Sequence, residues 1–279
     1  MIESVFSILH CRVRITTDCR ELKEGLEDIT VRMKPDRPPS RLLDLSVHKR
    51  DGRFVVWDGA EVVMTCTDFK LTTVYLHQWI NHRICEDLTG LMIHGGCGTF
   101  KGKRFILCGD KGAGKTSLLC RLLFEGVQVH SDEMVFLDND GAEPFPGKFH
   151  LKEGTIPLVP PLRASCLRLR PYPALSKGGG SFFFFDPSDI GLEWGTSRAK
   201  VDVFFYLEPG RLGGSRIVSC PKFMMVGKIL GQTLNLEGDP RPQIRRLCRA
   251  VDAGICYDLR VDDLSAGARM IRDALCYRL

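Results

Sequence analysis

No apolar run of 18 or more residues occurs in the sequence, so no helix is expected to cross a membrane. There is no C-x-x-C pair and no group of Cys and His at zinc spacing, although the chain holds 12 cysteines. That excludes a zinc finger and a thioredoxin-type redox motif. Twelve scattered cysteines in 279 residues also argue against a secreted disulfide framework; reduced, mostly buried thiols in a cytoplasmic protein are expected. The opening "MIESVFSILHCRVRITTDCRE" turns acidic at Glu3 and is broken by His10 and Arg12, unlike a signal peptide. No basic run is dense enough to suggest a nucleic-acid partner, with a net charge of only +5. No internal repeat is visible.

What is present is the composition of a soluble globular protein, 44% hydrophobic and 26% charged, with room for one large core or a core and a small domain. The basic excess lies late in the chain. Residues 160–279 carry 18 Lys and Arg against 12 Asp and Glu, whereas residues 1–159 carry 21 against 22. Such a half could attract phosphates or an acidic peptide, or carry ordinary surface charge.

Residues 1–70 read as a small β-rich unit: "CRVRIT", "RFVVWDG" and "EVVMTC" are strand-like, separated by "KPDRPPS" and "KRDG" turns. Residues 71–88 read as a joining helix with Leu71, Val74, Tyr75, Trp79, Ile80, Ile84 and Leu88 on one face. It opens a second domain, 71–279. There "GLMIHGGCGTF", a "KGK" turn and "RFILCGD" form a hairpin, "KTSLLCRLLFEG" a helix closed by Gly126, and "VQVHSDEMVFLD" a strand. Further on, "AKVDVFFYL" and "GICYDLRV" are strands; "KFMMVGKILGQTLNL", "PQIRRLCRAV" and "DDLSAGARMIRDALCYRL" are helices. The segment "SKGGGSFFFF" (176–185) has two readings. It is an exposed loop entering a buried strand, or 173–181 is a lid whose neighbours Arg168, Arg170 and Lys177 suit an acidic or phosphate-bearing ligand.

The stretch "GDKGAGKT" (109–116) satisfies G-x-x-x-x-G-K-[ST] between an apolar strand and a helix. Gly109, Gly112 and Gly114 let the backbone turn its N–H groups inward, with Asp110, Lys111 and Ala113 completing the loop. The helix that begins near Lys115 points its positive end at the same anion. Lys115 would reach the β- and γ-phosphates of ATP, Thr116 would ligate Mg²⁺, and Ser117 follows in the first turn. Asp132 and Glu133 in "HSDEM" end the next strand, where a metal ligand or base is needed; His94 stands in the first strand of the hairpin.

Together, His94-Gly95, Gly102, Gly109-Asp110, Gly112, Gly114-Lys115-Thr116, Gly126 and Asp132-Glu133 resemble the catalytic core of bacterial HPr kinase/phosphorylase and its relatives. The fold this resemblance implies is α/β, a P-loop core on the mixed sheet shared with phosphoenolpyruvate carboxykinase. The implied activity is ATP-dependent, Mg²⁺-dependent phosphorylation of a serine on a protein or peptide. In that reading Asp132 is the base, His94 lies beside it, Lys115 holds the triphosphate, and Thr116, Asp132 and Glu133 hold the metal. The family's second Asp is Glu133 here. Its Glu-Ile-Arg-Gly segment is absent, and "HLKEG" (150–154) puts Lys152 where an Arg would neutralise charge. Residues 1–70 do not resemble true HPr kinase, which points to relatives that act on other serines, lasso-peptide precursors among them. Such kinases often assemble, so a homo-oligomer is implied by resemblance alone. Two rival readings stand beside this one. A small-molecule kinase or carboxykinase-like enzyme would need converging arginines, for which Arg163, Arg168, Arg170 and Arg198 are available. A nucleotide-binding regulator without transfer activity would have no use for His94 or the carboxylates.

Overall fold

The computed structural model describes residues 1–30, 38–139, 141–175, 179–192, 197–209, 213–235 and 239–277. The chain opens with β1 (Ile2–Ile8), β2 (Cys11–Thr17), α1 (Arg20–Ile29), β3 (Arg41–Arg50), β4 (Arg53–Asp58), β5 (Glu61–Cys66) and α2 (Phe69–Cys85). Next come β6 (Leu91–His94), β7 (Gly96–Phe100), β8 (Lys103–Gly109), α3 (Lys115–Leu123), β9 (Gln128–Ser131), β10 (Met134–Leu137), β11 (Ala142–Pro144), β12 (Phe149–Lys152) and α4 (Leu162–Cys166). It closes with β13 (Pro171–Pro173), β14 (Ser181–Phe185), β15 (Val203–Glu208), β16 (Arg216–Ser219), α5 (Lys222–Leu230), α6 (Arg241–Ala253), β17 (Ile255–Arg260) and α7 (Leu264–Cys276).

Two compact units result: residues 1–88 with 168–185, and residues 89–167 with 186–279. This differs from the expected division at residue 70. Helix α2 groups with the first unit because its buried side chains, Val74, Leu76, His77, Ile80 and Ile84, pack there.

The first unit is a five-stranded sheet in the order β1-β2-β3-β4-β5. All neighbours are antiparallel except β2 and β3, which are parallel and joined through α1. A parallel pair needs such a crossover. Strand β2 buries Cys11, Val13, Ile15 and Thr17 in strict alternation, the period-2 signal of a one-sided sheet. Helix α1 was not expected in a β-rich segment. It buries Leu22, Leu26 and Ile29, spaced i, i+4 and i+7. On α2 the buried face is rotated from the expected one: Leu76 and His77 are buried, while Tyr75 is 40% exposed. Asp68 caps α2, accepting from the N–H groups of Lys70 and Leu71. The two helices approach closely at Gly25, where a Cβ would stand 2.2 Å from Thr73 Oγ1. Strands β13 and β14 form an antiparallel hairpin in this unit. Phe182, Phe184 and Phe185 are buried; Tyr172 meets Phe184 edge-on at 5.1 Å, and His77 meets it at 5.0 Å. The buried strand of "SKGGGSFFFF" is thus seen. Lys177 and Gly178, on which the lid reading turned, lie outside the described residues.

The second unit holds a six-stranded mixed sheet in the order β16-β17-β15-β8-β7-β9. Its centre, β17-β15-β8, is parallel, and β16, β7 and β9 join antiparallel. A three-stranded antiparallel sheet, β11-β10-β6, accompanies it. The β7–β8 hairpin turns at Lys101 and Gly102, both with positive φ (48° and 77°), the geometry of a tight two-residue turn. Strand β7 carries glycine at 96 and 98, two neighbouring positions on one face. A Cβ on Gly96 would stand 2.2 Å from Leu119 Cδ1, and one on Gly98 2.6 Å from Phe105 Cζ. All 12 cysteines are free, eight of them buried. Among the described residues, no helix is long and apolar enough to cross a membrane.

Candidate active site

Strand β8 ends at Gly109, which pairs with Leu207 on the parallel β15. Its φ of +156° brings the backbone so close that a Cβ would stand 2.5 Å from the Leu207 carbonyl oxygen. Only glycine fits there. The chain then turns through residues 110–114 into α3. Gly114, left-handed at φ +98°, is the N-cap and has no side chain to cap the helix. The first-turn N–H groups of α3 therefore face the loop without a side-chain partner, an arrangement that favours an anion.

Lys115 is the first residue of that helix and is only 6% exposed. Its ammonium folds back across the loop, donating to the carbonyl oxygens of Gly109 (2.7 Å) and Asp110 (3.2 Å). Burial lowers its pKa; the Lys152 charge pushes the same way, and Asp110 and Asp132 oppose. Asp110 is held in turn by the Tyr206 hydroxyl (2.8 Å) and Gln232 Nε2 (3.1 Å). Lys111 and Gly112 are exposed. Ser117 points elsewhere: its hydroxyl lies 3.3 Å from that of Thr155, tying α3 to the turn after β12.

The acidic pair sits where β9 ends. Ser131 Oγ donates to the Met134 carbonyl at 2.7 Å and accepts from its N–H at 3.3 Å, so the chain reverses through Asp132 and Glu133. Because the strand stops there, the two carboxylates escape strict alternation. Asp132 is 4% exposed and accepts a long hydrogen bond from Thr116 Oγ1 at 3.4 Å. Glu133 takes an ion pair with His150 Nδ1 at 2.7 Å. Burial, then the neighbouring Glu133 charge, push the Asp132 carboxyl up to about 7, against an opposing effect of His150. Burial works to lower the His150 pKa, but Glu133 and Asp132 outweigh it and raise it. His94 closes β6: its N–H donates to the Gln232 carbonyl at 2.8 Å, and the next residue, Gly95, donates to the Glu133 carbonyl at 3.0 Å. Burial first, and the charges of Lys115 and Lys111, lower the His94 pKa, so its imidazole is neutral at pH 7.

His94, Lys115, Thr116, Asp132 and Glu133 thus gather around the glycine loop, with Lys152 near enough to act on the Lys115 charge. Four contributors carried no sequence signal of their own. His150 lies two residues before Lys152 on β12, hence on the same strand face; Thr155, Tyr206 and Gln232 come from distant segments. Thr116, Asp132 and Glu133 offer hard oxygen donors, and buried Asp132 has no Lys or Arg ion pair among the described residues. Among those residues no three His, Cys, Asp or Glu side chains could hold a metal by themselves. That donor set suits an ion that keeps waters and phosphate oxygens in its shell, as Mg²⁺ does. The four arginines considered for a small-acid site divide between the two units. Arg168 and Arg170 belong to the first unit, where Arg170 pairs with Glu24 and Asp28. Arg198 pairs with Asp138 and Glu143, and Arg163 lies on α4.

No family model matches the chain, and no curated protein matches it. Among solved structures it is similar to the HPr(Ser) kinase/phosphatase from Coxiella burnetii, at 10% sequence identity and a TM-score of 0.32, over 66% of this chain and 89% of that one. A likeness at that level is too weak to bear a functional argument.

Proposed function

We propose that this protein transfers the γ-phosphoryl group of ATP to a hydroxyl, a serine on a protein or peptide. The observation that supports this best is the buried Asp132 carboxyl, poised near pH 7 and reached by Thr116 at the head of the glycine-loop helix. A binding loop needs no such carboxyl; an acid–base group tuned to neutral pH is what hydroxyl deprotonation requires.

In this reading the uncapped N–H groups of α3 and the loop amides cradle the triphosphate. Lys115 exchanges its two loop carbonyls for phosphate oxygens. Thr116 with Asp132 or Glu133 would hold Mg²⁺, which when bound would supply positive charge against the phosphates. Asp132 takes the proton of the acceptor hydroxyl. Glu133, held by His150, keeps the pair from ionising freely. Neutral His94 lies beside the same carboxylates and orients the acceptor. Lys152 stands exposed at the rim, where it can meet charge on the transferring group. Positioning and electrostatics carry most of the work in such transfers.

Titration calorimetry with Mg-ATP and transfer of radiolabelled γ-phosphate to serine peptides test this together. Lys115→Ala should lose Mg-ATP binding by at least about tenfold and lose transfer, with the fold intact by circular dichroism. Unchanged ATP affinity in that protein would remove the loop from the reading.

A further inference from the structure

A second site is formed at the other end of β10. Leu137 stands about 10 Å of strand away from Met134, on the far side from the acidic pair. There a cavity of about 180 Å³ is lined by Leu137, Asp138, Val201, Lys200, Arg246 and Arg249, among others. Its apolar wall, Leu137 with Val201 and Ala250, continues the core of the second unit. Three cations meet at its rim on two segments: Lys200 before β15, and Arg246 and Arg249 on α6, one turn apart. None has a carboxylate partner among the described residues. Arg246 donates to the Thr89 carbonyl at 2.8 Å, which fixes its side chain without neutralising it. Asp138, the acid at the rim, is engaged by Arg198 at 2.8 Å, and Arg198 is shared with Glu143.

The three cations outnumber the single carboxylate at the rim, Asp138, and repel one another less when an anion joins them. The geometry points to a binding site for a small phosphomonoester. Two guanidinium groups and an ammonium match a dianionic phosphate head, and the apolar wall takes the body of the molecule. The volume is below that of pockets for drug-sized ligands, so a nucleotide is not the occupant. The site is separate from the glycine loop and does not depend on what that loop binds.

Phenyl phosphate, which joins such a head to an apolar ring, is the probe. It is titrated into the full-length protein while the amide resonances of ¹⁵N-labelled protein are followed. The expected result is saturable binding that shifts Gly141, Val201 and Ala250, unaffected by Lys115→Ala and weakened at least about tenfold by Lys200→Glu with Arg249→Glu. Benzoate, with the same ring and a single charge, should bind more weakly. Absence of binding, shifts confined to residues 109–117, or unchanged affinity after charge reversal would each overturn the assignment. Lys200 and Arg249 are exposed. If the reversed protein still failed to fold, the shift map of the unaltered protein would decide.

Discussion

Replacing Asp132 by Asn probes the buried acid pair directly. An Asp carboxyl in an unfolded chain ionises near 3.9. In the folded protein Asp132 keeps its proton up to about 7, because it is buried and Glu133 is adjacent. The folded state therefore binds this proton more tightly than the unfolded state does. The stability so contributed is complete below about pH 4 and is lost as pH rises through about 7. Three pH units at about 1.4 kcal/mol each set a ceiling of about 4 kcal/mol. Between pH 5 and pH 8 about 2–3 kcal/mol of that is expressed. Asn is close in shape, stays neutral, and its side-chain oxygen can still accept from Thr116. The Asn variant should gain on the wild-type protein by about that amount over the interval, and should be the more stable of the two at pH 8. Urea unfolding without Mg²⁺, followed at pH 5, 6, 7 and 8, measures the difference. Parallel stability curves, with a constant gap at every pH, would show that Asp132 titrates as an ordinary surface acid and would refute the reasoning.

Other outcomes follow from the same geometry. If Asp132 is the base, kcat/KM should rise with pH and level off above about 7, the pKa of the free enzyme's group; a flat profile from pH 5.5 to 8.5 would exclude it. Tyr206→Phe removes the 2.8 Å hydrogen bond to Asp110 and should raise the KM for ATP several-fold with a smaller change in kcat; equal kinetics would show that the clasp does not shape the loop. Gly25→Val drives a side chain into Thr73 and should cost about 2–3 kcal/mol in chemical denaturation. A loss below 0.5 kcal/mol would mean that α1 and α2 separate at little cost.

Local chemistry was the part of the molecule written openly in the sequence. The glycine loop, the helix starting at Lys115 and the "KGK" hairpin each depend on residues within a few positions of one another. Helix α1 was overlooked because "RELKEGLEDI" is largely polar, with only Leu22, Leu26 and Ile29 to mark its apolar stripe. On α2 the spacing gave a helix, but the buried face is decided by what packs on it. The aromatic cluster around Phe184 draws in His77, while Tyr75, one residue off that face, is left in solvent. At the site, Gln232 could not have been foreseen. It lies 122 residues from Asp110 and is joined to it only by the fold.

The paired glycines of β7 bear on how variation in this protein should be interpreted. Gly96 lies against Leu119 and Gly98 against Phe105, each too close for a methyl group unless that side chain moves. A side chain at Gly96 would press on Leu119 of α3, the helix that carries Lys115 and Thr116, and one at Gly98 would press on the Phe105 ring of β8, so the proposed activity would fall through displaced elements. A mutational scan scored on turnover alone would count them as chemical residues. Scored on abundance as well, they should separate from Lys115 and Asp132, whose replacement is expected to leave the fold standing. Variation meant to leave the glycine loop in place should spare both glycines.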